Sequence, residues 1–134
     1  MSDQNLLALL EKFTAAWNAH DLETLMDCMT PNNCAFYAAA GPKGTAAEPW
    51  QRGAAHLGPQ AVRAAFEAVW KNFPNAQWKN GKHFVSGNRG LSEWLFTGTS
   101  ADGKTQVEVN GVDVFEFENG KIKVKDTYRK QISS

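Results

Sequence analysis

No apolar run in the chain approaches the roughly 20 residues that span a bilayer. Its polar start, Met1 to Asn5, also lacks the basic-then-apolar form of a secretory signal. A cytoplasmic protein without a membrane partner is expected. Charge of one sign is missing too: 14 basic and 14 acidic residues give a formal net charge of zero, and like charges form no runs. Such a balance implies neither affinity for nucleic-acid phosphates nor attraction to acidic membranes. Cysteine is scarce, and Cys28 and Cys34 read as two buried thiols, because a chain of 134 residues does not need a covalent staple. Neither a His-x-x-x-His helix pair nor a Cys-x-x-Cys motif occurs, so no metal is expected, and no cofactor motif is present either. The glycines at 41, 44, 53 and 58 follow no phosphate-cradling pattern. Internal repeats and low-complexity linkers are absent, and residues 1–134 read as one domain.

What is present is a helical first half and a stranded second half. Leu6, Leu7, Leu9, Leu10, Phe13, Ala16 and Trp17 recur at helical spacing behind a possible cap at Ser2 or Asp3, which predicts a helix to about Ala19. Asp21 caps a second, shorter helix carrying Leu22, Leu25, Met26 and Met29, ended before Pro31. Cys34 to Ala38 reads as a short strand, and the Gly-, Pro- and Ala-rich stretch from Gly41 to Gly58 as a mobile loop. Pro59 opens a third helix whose face is Val62, Ala65, Phe66, Val69, Trp70 and Phe73, ended at Pro74. His20 and His56, in a connector and in the loop, read as solvated.

From about Gln77 onward the pattern is strand, punctuated by Gly87-Asn88, Asp102-Gly103 and Asn119-Gly120, dipeptides that mark tight hairpins. Counting outward from these turns pairs His83 with Ser92, Ser92 with Asp113, and Asp113 with Asp126. Side chains alternate across a strand. One face therefore carries Ser92, Trp94, Phe96, Val107, Val109, Asp113, Phe115, Phe117, Ile122, Val124, Asp126 and Tyr128. The other carries Glu93, Glu108, Asn110, Glu116, Lys121, Lys123, Lys125 and Arg129. The register around His83 is the least constrained, since a one-residue slip would reverse its strand.

This register sets up the candidate chemistry. Carboxylates directly opposed in an antiparallel pair have Cβ atoms about 4.5 to 5.5 Å apart, so Asp113 and Asp126 would resist both being charged and would share a proton. Such a pair supplies an acid and a base for moving a proton next to a carbonyl. The alternatives are that Asp126 pairs with Lys125, Arg129 or Arg89 at the sheet margin, or that a bulge turns it outward. His83 adds a near-neutral titrating group across a gap that suits a small substrate; it also fits an edge or core position. Trp94 faces Gly111, which leaves space for a ligand shelf or for packing against the first helix. Tyr37 and Tyr128 offer hydroxyls to a carbonyl oxygen. Trp17, Phe96, Val109 and Phe115 complete the expected lining. Ser92 has no Gly-x-Ser-x-Gly setting and no base beside it in register, which argues against a nucleophile.

Several stretches taken together resemble the nuclear transport factor 2-like superfamily, and within it the SnoaL-like proteins. They are Phe13 to Trp17 with His20-Asp21-Leu22, Gly58 to Phe66, Ser92 to Thr99, and Gly111 to Ile122 with Tyr128. The resemblance implies an α+β fold in which a cone-shaped, curved antiparallel sheet wraps the N-terminal helices around a deep central cavity for a small molecule. It also implies a homodimer through the outer sheet face. In ketosteroid isomerase a protonated Asp and a Tyr hold the developing oxyanion while a second Asp moves the proton. Asp113 falls at the position of the protonated Asp, whereas the tyrosine position is Phe13 and the base position lies near Tyr37 or Ala38. Among SnoaL-like polyketide cyclases a late-strand Asp or His moves the proton, and Asp126 is its nearest counterpart. The function implied is a small cofactor-independent enzyme doing isomerase, cyclase or dehydratase chemistry on a compact apolar or aromatic carbonyl compound. The alternative is a non-catalytic ligand-binding or dimerisation module of the same fold.

Overall fold

Ser2 accepts a hydrogen bond from the Asn5 N–H at 3.1 Å and so caps helix α1, Asp3–Ala19. Leu6, Leu10, Phe13 and Trp17 return at three- and four-residue intervals and form its buried stripe. The helix stops at His20, which adopts a left-handed conformation with φ 55°. Asp21 then caps α2, Leu22–Cys28, through the Thr24 N–H. The computed structural model describes residues 2–41 and 53–131. Helix α3, Pro59–Asn72, opens on proline at a position where the missing N–H costs nothing, and buries Val62 and Phe66.

Six strands form one sheet in the order β2-β1-β6-β5-β4-β3. They are β1 Ala35–Tyr37, β2 Ala55–Leu57, β3 Gln77–Ser86, β4 Arg89–Thr99, β5 Gln106–Glu118 and β6 Lys121–Arg129. The three helices and curved sheet give the expected α+β architecture, with α1 packed along β3 and the aromatic core between helices and sheet. Trp17 is its hub, with ring centroids 4.9 Å from both Phe66 and Trp78. Strand β2 lies inside the stretch read as a loop from Gly41 to Gly58. Three residues are too few to show alternation, and its pairing with β1 supplies the order that its sequence does not. The rest of that expectation, residues 42–52, lies outside the described residues.

Two of the three hairpins start in the register their turn chemistry sets, and the β4–β5 ladder keeps it along its whole length. Ser86 faces Arg89 across Gly87-Asn88, and the β4–β5 ladder pairs Ser92 with Asp113. At the third turn, Asn119 and Gly120 both take positive φ, 53° and 77°, as a two-residue hairpin of this hand requires, and Glu118 faces Lys121. Phe117 faces Ile122, but the next pair is Glu116 with Val124. Lys123 is therefore an extra residue, a β-bulge. From there on β6 is rotated by one position relative to simple alternation.

The bulge overturns part of the expected face assignment. Asp113 is opposed by Thr127, not by Asp126, and Asp126 pairs with Val114 on the outer face. Val124 and Tyr128 move outward with Asp126, while Lys125, Thr127 and Arg129 turn inward. A second irregularity in β3, between Lys79 and Lys82, places Asn80 at φ 59° and leaves the His83–Ser92 pairing as expected. Both cysteines are buried and free, and burial pushes their thiols above the ordinary range. Neither His20 nor His56 is solvated as expected: His20 stacks on Trp70 and lies 3.0 Å from the Ala76 carbonyl, and His56 stacks on Phe36. No helix among the described residues is long and apolar enough to cross a membrane.

Candidate functional site

Four neighbouring strands each present one polar side chain to the inner face in a single row: His83, Ser92, Asp113 and Thr127. Lys125, two residues before Thr127 on β6, reaches into the same row. Its Nζ lies 3.1 Å from Asp113 Oδ1 and donates to Thr127 Oγ1 at 2.8 Å, and Thr127 in turn donates to Asp113 Oδ1 at 2.6 Å. The indole N–H of Trp94 donates to Asp113 Oδ2 at 3.1 Å. Asp113 thus receives donors on both oxygens, which is the environment of an ionised carboxylate. It is not that of the protonated Asp implied by the isomerase resemblance.

Lys125 is the least expected member. Its ammonium lies 4.5 Å from the Phe36 ring centroid and 5.4 Å from that of Trp17, a cation boxed by aromatic faces. Burial lowers the pKa of Lys125, and the neighbouring Asp113 carboxylate opposes that shift. The Trp17 indole nitrogen is buried without a hydrogen-bond partner among the described residues. Nothing in the sequence pattern distinguishes Lys125 from Lys121 and Lys123, because all three alternate with apolar residues and only the bulge separates them.

His83 Nδ1 lies 2.7 Å from Ser92 Oγ. Ser92 therefore does have a base beside it, contrary to the expectation from sequence, since the row brings the imidazole and hydroxyl together. Burial pulls the His83 pKa down, favouring the neutral ring. Trp94 offers no shelf above Gly111. Its ring occupies that space, and a Cβ on Gly111 would sit 2.4 Å from it. Phe96 and Phe115 are fully buried in packing, Trp17 is core, and Val109 remains partly open.

Asp126, Tyr128 and Tyr37 gather on the opposite face. Tyr37 lies beside Asp126 in the parallel β1–β6 pairing, and the Tyr128 hydroxyl donates to Asp126 Oδ2 at 3.0 Å. Burial pushes the Asp126 carboxyl up to about 6 against that hydrogen bond, and both tyrosines are raised, first by burial and then by this carboxylate. These three cannot share a ligand with Asp113 on the inner side.

Two open cavities of about 520 Å³ border the end of β6. One is lined by Lys82, Glu93, Asn110, Val112 and Tyr128 among others. The other opens where the first half of β5 runs past β6 and faces Ala39 and Ala40, with Val107, Val109 and Arg129 in its wall. Asp113 lines neither. Among the described residues no three His, Cys, Asp or Glu side chains gather in a group able to hold a metal ion.

The sequence matches the SnoaL-like domain model over residues 10–124. No curated protein matches it significantly. Among solved structures the chain is similar to a candidate polyketide cyclase from Xanthomonas campestris pv. campestris, with TM-score 0.77, 16% identity, and 94% of this chain and 90% of that one covered. A nuclear transport factor 2-like protein of unknown function from Mesorhizobium loti gives TM-score 0.71 and 23% identity, covering 96% and 93%. A candidate isomerase from Bacillus subtilis gives 0.76 and 16%, covering 97% and 90%. Likeness at such identities establishes the fold alone.

Proposed function

The chain belongs to the SnoaL-like family of the nuclear transport factor 2-like superfamily, and on that premise we propose that it is a small cofactor-independent enzyme that moves a proton on a compact carbonyl compound. The observation that carries this reading is the buried Lys125–Asp113 pair lying in one row with the His83–Ser92 pair. A buried, desolvated lysine beside a carboxylate is costly to fold around and is a recurrent feature of functional sites. In this scheme Asp113 stays ionised and fixes Lys125 and Trp94. Lys125 donates to the oxygen that gains charge as a ketone becomes an enolate. His83, neutral and held at Nδ1 by Ser92, takes the carbon-bound proton at Nε2 and returns it. Isomerisation, cyclisation and dehydration all share that step. Asp126 has no part in it, because the bulge at Lys123 puts it on the other face.

The test is solvent deuterium exchange into a panel of enolisable ketones, followed by proton NMR. Wild type is expected to accelerate exchange at one α-carbon, and Lys125→Met and His83→Gln to lose at least a hundredfold of that rate. A panel on which wild type does nothing above buffer overturns the reading.

A second reading, a non-catalytic ligand-binding or dimerisation module, is favoured by one observation: both Asp113 oxygens are already occupied by the protein's own donors. The outer face suits association of two copies, since Phe84, Leu91 and Val114 run side by side across it and Phe84 is 53% exposed.

A further inference from the structure

Arg129 differs from the other cations of the sheet. The bulge turns it to the inner face opposite Gly111, its guanidinium lies 5.3 Å from the Phe96 ring centroid, and it forms no salt bridge with any described residue. It borders both cavities at the end of β6; in the one between β5 and the segment after β1 the neighbouring apolar surface is Ala39, Ala40, Val107 and Val109. The charged side chains bordering that cavity are Arg129 and Lys130 against Glu108 alone, an excess of one positive charge. Deeper on the same face Lys125 is already balanced by Asp113. Arg129 stays exposed at the rim of the cavity, and the Asp113 carboxylate acts on its charge without forming a salt bridge with it.

We propose that Arg129 anchors the carboxylate of the ligand, so that the compound bound here is an organic acid whose apolar body lies on Val107, Val109 and Ala39. The planar fork of arginine matches a carboxylate through two parallel N–H···O bonds, and the Phe96 ring centroid 5.3 Å away gives the guanidinium a cation–π neighbour. This inference rests on the proposed carbonyl chemistry only for the ligand's second functional group, a ketone.

The experiment is titration calorimetry with 4-oxo-4-phenylbutanoate and its methyl ester, a pair differing only in the charge at one end. The acid is expected to bind wild type at least tenfold more tightly than the ester. Arg129→Gln should bring that ratio below threefold, Arg129→Lys should keep part of it, and Lys130→Gln should leave it nearly intact; circular dichroism checks that each variant is folded. Equal affinity for the two compounds, a preference that survives Arg129→Gln, or no binding of either overturns the assignment. Titration needs no turnover, so its failure is separable from that of the enzymatic reading. Arg129-dependent binding without deuterium exchange sinks only the proton transfer, and exchange on the ester without preference for the acid sinks only the anchor.

Discussion

Lys125 and Asp113 form an ion pair of 3.1 Å whose two side chains are each only 8% exposed. Removing one partner strands a charge where water cannot reach it, which typically costs about 3–5 kcal/mol, whereas replacing both with groups of similar shape is often neutral. Asp113→Asn is therefore expected to lower unfolding stability by about 3–5 kcal/mol, and Lys125→Met by a similar amount. The double variant Asp113→Asn with Lys125→Met should recover most of that loss. Urea denaturation of the four proteins of the cycle measures it, and additive losses would show that the pair is not coupled.

Gly111 is held by contact and not by backbone angle. A Cβ there would meet the Trp94 ring at 2.4 Å and the Tyr128 carbonyl oxygen at 2.6 Å, and a main-chain oxygen cannot step aside as a side-chain tip can. Gly111→Ala is expected to cost about 1–3 kcal/mol and to push Trp94 off Asp113. A lowered melting temperature with a shift in tryptophan emission would show both effects, and an unchanged emission maximum would count against the contact.

How far the chain could be read follows from which forces are local. The caps at Ser2 and Asp21, the proline at 59 and the dipeptide turns all act within a few residues, so three helices and three hairpins are legible, as is the pairing of His83 with Ser92 and Ser92 with Asp113. Strand β2 is stabilised by a neighbour some 20 residues away and leaves no mark of its own. The inward Lys125, Thr127 and Arg129 depend on a single extra residue, and the run from Lys121 to Lys125 alternates too regularly to announce it. Membership of the last strand in the site was readable; the face that each residue presents was not.

Two titrations on opposite faces pull stability in opposite directions. The Asp126 carboxyl titrates at about 6 in the fold against 3.8 unfolded, so the folded state holds its proton more tightly. Its contribution is greatest below pH 4 and declines by up to about 3 kcal/mol as pH rises to 6. His83 is lowered from 6.5, so the unfolded chain binds its proton more readily, and its contribution grows as pH rises toward 6.5. Asp126→Asn, which keeps an acceptor for the Tyr128 hydroxyl, is expected to be more stable than wild type at pH 8 and no more stable at pH 4. Urea curves at the two pH values decide this, and a stability difference independent of pH would refute the raised carboxyl.

The bulge itself can be tested by removing it. Deleting Lys123 makes Val124 follow Ile122 directly, so the ladder runs regularly from the Asn119-Gly120 turn with Glu116 still facing Val124 and Asp113 still facing Thr127. Lys125, Thr127 and Arg129 then keep the inner face, and the Lys125–Asp113 pair is retained. Deletion of Lys123 is accordingly expected to cost well under about 3 kcal/mol, the scale of an unpaired buried charge. Adding Asp113→Asn to the deletion should lower stability as much as it does in wild type, because the same lysine loses the same partner. If the deletion alone costs that much, or if Asp113→Asn no longer matters in it, the strand after Ile122 has slipped to a different register. Urea denaturation of the two proteins separates these outcomes.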